Sequence, residues 1–262
     1  MKVLIIIDET FFFHPNFLDR LTLELLREDR KNSIKVGIVN RIPKKNNINS
    51  IFFRYFNYFR YNEIFKILII YCYRFLMNIF FSYGFKNQNF SVRGVCKKNN
   101  IEYFFIKNDI NKEIYIEKFK KYNPNIVLSS NSLIFGEEIL KLKNIIFLNR
   151  HTSLLPSYAG LWPVIRAIMN KEEYIGVSVH MMTSKIDQGN VLTQDRILLK
   201  NKILFEIYEE SFLTSVTTVF KAFIAVKYNK INFVQNSYTP SYFSMPKRED
   251  IISFVNEGGK LI

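Results

Sequence analysis

Cysteine is nearly absent: Cys72 and Cys96 are the only two in 262 residues, and no C-x-x-C spacing joins them. Two scattered thiols cannot fill a tetrahedral metal site, so no metal is implied, and both read as reduced, structural residues of a cytoplasmic protein. No G-x-G-x-x-G follows the first apolar run, Val3-Leu4-Ile5-Ile6-Ile7, which removes the main support for a dinucleotide-dependent hydride transfer. That run is five residues long and ends in Asp8-Glu9, too short for a secretory signal and well suited to a buried strand. Long basic blocks are missing too. The formal net charge is +14 with a pI of about 9.6, but the lysines are scattered or paired, as at Lys44-Lys45, Lys97-Lys98 and Lys120-Lys121. Such a distribution does not make a nucleic-acid tail, and no nucleic-acid partner is expected.

What remains is a chain with 48% hydrophobic residues, enough for a full core. Its apolar runs alternate with amphipathic ones. Val3–Ile7 reads as a strand, Phe17 to Leu26 as a helix with apolar residues at 17, 18, 21, 25 and 26, and Val36–Val39 as the next strand. A helix ending near Lys97-Lys98 precedes the strand Ile101–Ile106, and Pro124–Ser130 is a buried strand running into a polar turn. The expected fold is α/β, a Rossmann-like mostly parallel sheet flanked by helices over residues 1–200, with a small C-terminal extension, 201–262, comprising a helix from Lys202 through Ile224 and a polar tail.

Residues 52–85 crowd aromatic and aliphatic side chains, and Ile64 to Tyr83 approaches the length of a membrane span. Lys66, Arg74 and Asn78 lie inside it, at a cost a bilayer centre would exact, so two amphipathic helices packed over the sheet are expected and no transmembrane segment. Peripheral attachment to a membrane surface is the competing reading.

One constellation reads as chemistry. Asn149 and His151 follow the apolar run Ile145–Leu148, and two residues apart in an extended segment they project to one side. Ser153-Leu154-Leu155-Pro156 comes next, then His180 after a second apolar run, then Asp187-Gln188-Gly189. Each polar residue alone is equally a satisfied side chain at a strand end; together they point to acyl transfer. When an amine attacks an acyl carbon, the carbonyl oxygen gains negative charge and the nitrogen must lose a proton, so an amide donor and an imidazole shuttle are the groups required.

The stretch from Asn149 to Gln194 resembles the signature of the folate-dependent formyltransferases, the family of the glycinamide ribonucleotide, methionyl-tRNA and sugar N-formyltransferases. The resemblance rests on N-x-H at Asn149 and His151, S-L-L-P-x-Y-x-G from Ser153 to Gly160, Pro163, Ala167-Ile168, G-V-x-V-H from Gly176 to His180, D-x-G at Asp187 and Gly189, and Gln194. It extends more loosely upstream from Val92 to Phe135. Two positions depart from the usual pattern: Thr152 stands where proline is common, and Arg150 replaces an apolar residue, changes that alter what approaches the site. The resemblance implies Asn149, His151 and Asp187 as the catalytic set, with Asp187 orienting the imidazole or a water, and a supporting structural role for His180. It implies N10-formyltetrahydrofolate as co-substrate, held by Ser132, Leu133 and Ile134 on one wall and by Thr183, Ser184, Lys185 and Ile186 on the other.

The tail from Tyr242 to Asp250 looks like the ending of sugar N-formyltransferases, so the expected acceptor is the amine of a nucleotide-linked amino-deoxysugar, with Tyr158, Trp162 and Tyr242 as aromatic surfaces for it. Family practice implies a homodimer through the C-terminal region. Formylation of methionyl-tRNA or of glycinamide ribonucleotide is the competitor within the class. From another class comes a non-catalytic nucleic-acid or membrane-surface binding module on a retired scaffold; an intact Asn, His, Asp set argues against it.

Overall fold

The computed structural model describes residues 1–40, 60–82, 89–199 and 203–262. Seven strands form the main sheet: β1 (Lys2–Asp8), β2 (Ser33–Asn40), β3 (Glu102–Lys107), β4 (Ile126–Ser130), β5 (Ile146–His151), β7 (Tyr174–Met181) and β8 (Val191–Leu198). Their order is β3-β2-β1-β4-β5-β7-β8. The first five in that order are parallel to one another, β7 runs against them, and β8, paired antiparallel to β7, runs with them. Burial explains the order. In β1, Val3 through Ile7 are fully buried, as a strand covered on both faces requires, whereas the edge strands β3 and β8 mix buried and exposed positions. Two short strands, β6 (Ala159–Gly160) and β9 (Tyr242–Phe243), pair separately.

The strand order reverses between β1 and β4, the point at which an open α/β sheet leaves a crevice beyond the carboxyl ends of its strands. Helix α1 (Phe13–Glu28) packs one face together with α7 (Leu204–Lys227), whose Val216, Val219, Ala222 and Phe223 join the core of Val3, Ile5, Leu21 and Leu148. α7 is thus part of the main body. On the other face α4 (Glu113–Tyr122) and α5 (Glu137–Leu140) cover Leu4, Ile6, Val127 and Phe147. A third cluster joins α6 (Pro163–Met169) to α8 (Arg248–Asn256) through Ile165, Ile168, Ile251 and Phe254, reinforced by Arg166 donating to Asp250 at 2.7 Å. The tail expected to be merely polar therefore supplies β9 and α8.

The described part of the aromatic-rich stretch is one helix, α2 (Tyr61–Ser82), whose buried Ile64 joins the cluster of Ile175, Val177 and Ile197. Phe65, Ile69, Leu76 and Phe80 are more than half exposed. Apolar residues occupy nearly every position, so no single buried stripe can absorb them. Buried Glu63 accepts from the Leu261 N–H, and Asn78 accepts from Ser91 Oγ, which tie the helix down at its two ends. Phe52 through Phe59 and the Lys44-Lys45 pair lie outside the described residues. No described helix is long and apolar enough to cross a membrane.

α1 is latched to α3 (Val92–Lys98) by a buried carboxylate. Asp19 accepts from Lys98 Nζ at 3.1 Å, Asn99 Nδ2 at 2.8 Å and Asn89 Nδ2 at 2.9 Å. Burial alone raises its pKa, but the hydrogen bonds from Asn99, Lys98 and Asn89 outweigh it and hold the carboxyl below the usual range. Asp19→Ala removes the acceptor shared by three donors, of which Lys98 keeps Asn89 Oδ1 and Asn99 keeps the Val95 carbonyl, and is expected to cost about 1–3 kcal/mol, with Asp19→Asn costing less, by urea denaturation. Equal midpoints for wild type and Asp19→Ala contradict the latch.

Candidate active site

β5 carries Asn149 and His151 on one face, as period two requires, and His180 of β7 lies directly across from Asn149 in the ladder. A register irregularity between Val179 and His180 interrupts the pairing of β7 with β8, a common device for re-aiming a side chain next to a site. The loop after β7 brings Asp187 back over this face. Asp187 adopts a left-handed backbone, φ 54°.

The Asp187 side chain is 8% exposed and both its oxygens are engaged. Oδ1 accepts from Asn149 Nδ2 at 3.2 Å, and Oδ2 accepts the Gly160 N–H at 3.0 Å. His151 Nδ1 stands 3.5 Å from Oδ2, and His180 Nε2 stands 3.4 Å from Oδ1. Burial opposes the charge, yet the groups around the carboxylate, the Gly160 N–H among them, prevail, so the carboxyl is held down at about 2.

The histidine tautomers follow from their carbonyl partners, which can only accept. His151 Nε2 lies 3.1 Å from the Tyr158 carbonyl and so carries the proton, leaving the Nδ1 lone pair toward Asp187. Burial lowers the His151 pKa and Asp187 opposes that, with a net depression. His151 is a neutral base at neutral pH. His180 Nδ1 donates to the Met181 carbonyl at 2.8 Å, so Nε2 accepts from Asn149 Nδ2 at 3.2 Å. The expected supporting residue therefore touches Asn149 directly. Both amide hydrogens of Asn149 are engaged, one on Asp187 and one on His180.

The motif residues around this cluster are its scaffold. Ser178 Oγ donates to the Ser153 carbonyl and accepts from the Leu155 N–H and from Gln194 Nε2, which fastens the Ser153–Pro156 loop to β7 and β8. Gly160 has φ 93°, and a Cβ there would lie 2.2 Å from the Phe243 carbonyl oxygen. Only glycine lets β9 pair with β6 while the Gly160 N–H reaches Asp187.

A cavity of about 330 Å³ opens on the cluster. Ser132, Leu133 and Ile134 line it, as do Thr183, Ser184, Lys185 and Ile186, together with Asn149, His151, His180 and Asp187. Of the three aromatic residues assigned to the acceptor, Tyr242 lines the cavity. The Tyr158 ring points elsewhere: its hydroxyl donates to Glu172 at 2.6 Å, its ring stacks on Phe243, and its backbone carbonyl is what serves His151. Trp162 lines a different, apolar cavity with Phe12, Leu68 and Phe205. Among the described residues no group of three or more His, Cys, Asp or Glu is arranged to hold a metal ion.

The cavity is of the size of a small-molecule site, a range of about 300–1,000 Å³. Its walls alternate apolar Leu133, Met182 and Ile186 with the hydroxyls and backbone groups of Ser132, Thr183 and Ser184.

Gly189 sets the loop. A Cβ there would fall 1.7 Å from the Met181 carbonyl oxygen, the acceptor that fixes His180. Gly189→Ala is expected to lower stability by about 1–3 kcal/mol and to release the His180 Nδ1–H, seen as a shifted ring resonance. An unchanged His180 signal contradicts this linkage.

Comparison with known proteins agrees with the geometry. The formyl transferase family model matches residues 83–217, just over half of the chain. The methionyl-tRNA formyltransferase of Thermotoga maritima is 28% identical over 164 residues, which cover 62% of this chain and 52% of the relative. The chain thus spans about half the length of that relative. Among solved structures, a sugar N-formyltransferase from Shewanella covers 98% of this chain and 87% of its own at a TM-score of 0.60 and 13% identity. The N-formyltransferase of Helicobacter canadensis, solved with folinic acid and dTDP-3-aminofucose, covers 95% of this chain and 72% of its own at a TM-score of 0.54 and 18% identity. The fold, the motif residues brought together around Asp187 and the family match lead to one conclusion: the chain belongs to the formyl transferase family.

Proposed function

We propose that this chain moves a formyl group from N10-formyltetrahydrofolate to the primary amine of a nucleotide-linked amino-deoxysugar. The reaction rests on one observation, the neutral His151 base and the Asn149 donor held by the buried Asp187 at the floor of a cavity of small-molecule size. The folate would lie between the walls Ser132–Ile134 and Thr183–Ile186 and supplies the activated formyl carbon. Likeness to the Shewanella and Helicobacter enzymes over nearly the whole chain supports the sugar class, as does Tyr242, carried into the cavity wall by β9.

The chain's residues divide the work. Asn149 Nδ2 donates to the formyl oxygen as negative charge gathers there; the entering oxygen takes the hydrogen now shared with His180, while the Asp187 bond keeps the amide oriented. A donor so placed is worth about 10²–10³-fold in rate. His151 Nδ1 takes the proton that the amine nitrogen loses as its bond to the formyl carbon forms, and Asp187 stabilises the imidazolium. The same proton then serves the folate nitrogen as its bond to the formyl carbon breaks. Base catalysis of this kind contributes about 10²–10⁴-fold. Similarity to the Thermotoga enzyme favours methionyl-tRNA as the second acceptor to test.

Formyl transfer is measured by tetrahydrofolate release against dTDP-, UDP- and GDP-linked amino sugars, methionyl-tRNA and glycinamide ribonucleotide. One nucleotide sugar is expected to turn over, with His151→Ala lowering kcat about 10²–10⁴-fold. Turnover of a non-sugar amine alone overturns the acceptor class; turnover undiminished in His151→Ala overturns the catalytic assignment.

A further inference from the structure

The polarity of α2 is reversed with respect to the body of the protein. Glu63, Ile67, Ile70, Arg74 and Asn78 recur at helical spacing and form one stripe, whose polar members bond the body. Glu63 accepts the Leu261 N–H at 3.0 Å, and Asn78 accepts from Ser91 Oγ at 2.7 Å. Arg74 Nη2 donates to the Phe12 carbonyl at 3.5 Å and to the Asn89 carbonyl at 3.4 Å. The opposite stripe, Phe65, Ile69, Cys72, Leu76 and Phe80, is exposed throughout. Leu68, Tyr71, Tyr73 and Phe75 beside it are exposed as well. A helix bathed in water on its outer side carries its polar residues outward and its apolar ones inward. Here the order is the reverse, and an apolar surface of this extent marks an interaction site.

Charge selects the partner. Glu63 is the sole acidic residue of α2 and is buried, so no carboxylate of this helix faces outward. Lys66 is exposed within the apolar surface, and Arg60 is exposed just before it. A second copy of the chain would bring its own net charge of +14 and its own Lys66 to the same face, like charge against like. An anionic lipid surface offers the complement, acyl chains for the phenyl and aliphatic groups and phosphates for the cations. The phenols of Tyr71 and Tyr73 join an apolar ring to a polar end, the combination that settles at the headgroup level of a bilayer. No described helix is long and apolar enough to cross a membrane, and the stripe bonded to the body holds α2 along a surface.

We propose that α2 docks on the surface of an anionic lipid bilayer, its axis in the membrane plane, with Phe65, Ile69 and Leu76 in the acyl boundary and Lys66 among the phosphates. Docking there presents the catalytic end of the sheet. Phe11, in the connection that leaves the carboxyl end of β1, meets the rings of Tyr71 and Phe75 edge-on at 5.2 Å and 5.9 Å. Trp162, two residues beyond the Gly160 that serves Asp187, shares an apolar cavity with Ile64, Ile67 and Leu68 of α2. The docking surface does not depend on which amine is formylated.

The test is flotation of the full chain with vesicles of phosphatidylcholine and phosphatidylglycerol in equal parts, against vesicles of phosphatidylcholine alone. Wild type is expected to float with the anionic vesicles and to bind the neutral ones about tenfold more weakly. The double variant Ile69→Gln with Leu76→Gln, at two outward positions, is expected to bind the anionic vesicles about tenfold to a hundredfold more weakly. A second readout uses the wild-type sequence and so does not depend on the folding of that variant. Cys72 lies on the outward stripe and Cys96 is buried, so an environment-sensitive fluorophore labels Cys72, and its emission is expected to move to the blue when anionic vesicles are added. A wild type that floats with neither vesicle, flotation undiminished in the folded double variant, or emission unchanged by vesicles overturns the proposal. A wild-type dimer in sedimentation that becomes a monomer in the double variant, without vesicle binding, also overturns it by giving the face to a second copy.

Discussion

A single carboxylate orders this site. Asp187 is buried, ionised and saturated with partners, and each partner is a residue that the chemistry uses or that holds the chemistry in place. The cost of burying a charge is offset by the Asn149 amide and the Gly160 N–H, so neither can move without leaving the carboxylate uncompensated. Much of the surrounding fold serves that arrangement: the irregularity of β7 aims His180, Gly189 passes close to Met181, and the β6–β9 pair presents Gly160. Residues more than eighty positions apart in the chain, at Ala159 and Tyr242, are thereby drawn into one structure.

Electrostatics differ on the two faces of β5. On one, Asp187 supplies negative charge beside a neutral His151. On the other, Arg150 supplies positive charge held only by hydroxyls and a phenyl ring. Alternation along a single extended segment is sufficient to keep the two charges apart.

The parallel sheet was legible because buried strands such as Val3–Ile7 and Ile126–Leu128 are continuous apolar runs between amphipathic helices. The N-x-H and D-x-G spacings, with the resemblance they carry, pointed to the side chains that meet at the cavity, because period two in a strand is a strict geometric rule. Other features had no local signal. Tyr158 and Trp162 are aromatic residues of a motif region, but the direction of a ring depends on long-range packing, and Tyr158 turns to Glu172 while Trp162 faces α2. The pairing of β9 with β6 spans two-residue strands, too short for any periodicity. His14 sits alone in an aromatic run, and only the tertiary fold brings it beside Arg150. In α2 apolar density did not translate into burial, because apolar residues occupy nearly every position and Phe65, Leu76 and Phe80 stay exposed.

The central claim is that burial keeps His151 neutral while the Asp187 charge beside it limits that depression. Long-range nitrogen-15 correlation spectra of the His151 and His180 rings, followed across acid and neutral pH in wild type and in Asp187→Asn, measure this directly. The account predicts that wild-type His151 holds its proton on Nε2 and gains a second only below the ordinary histidine range. It also predicts that Asp187→Asn lowers that titration further, because the lost charge had favoured the protonated ring. A His151 that titrates at the ordinary value and does not respond to Asp187→Asn would contradict the account.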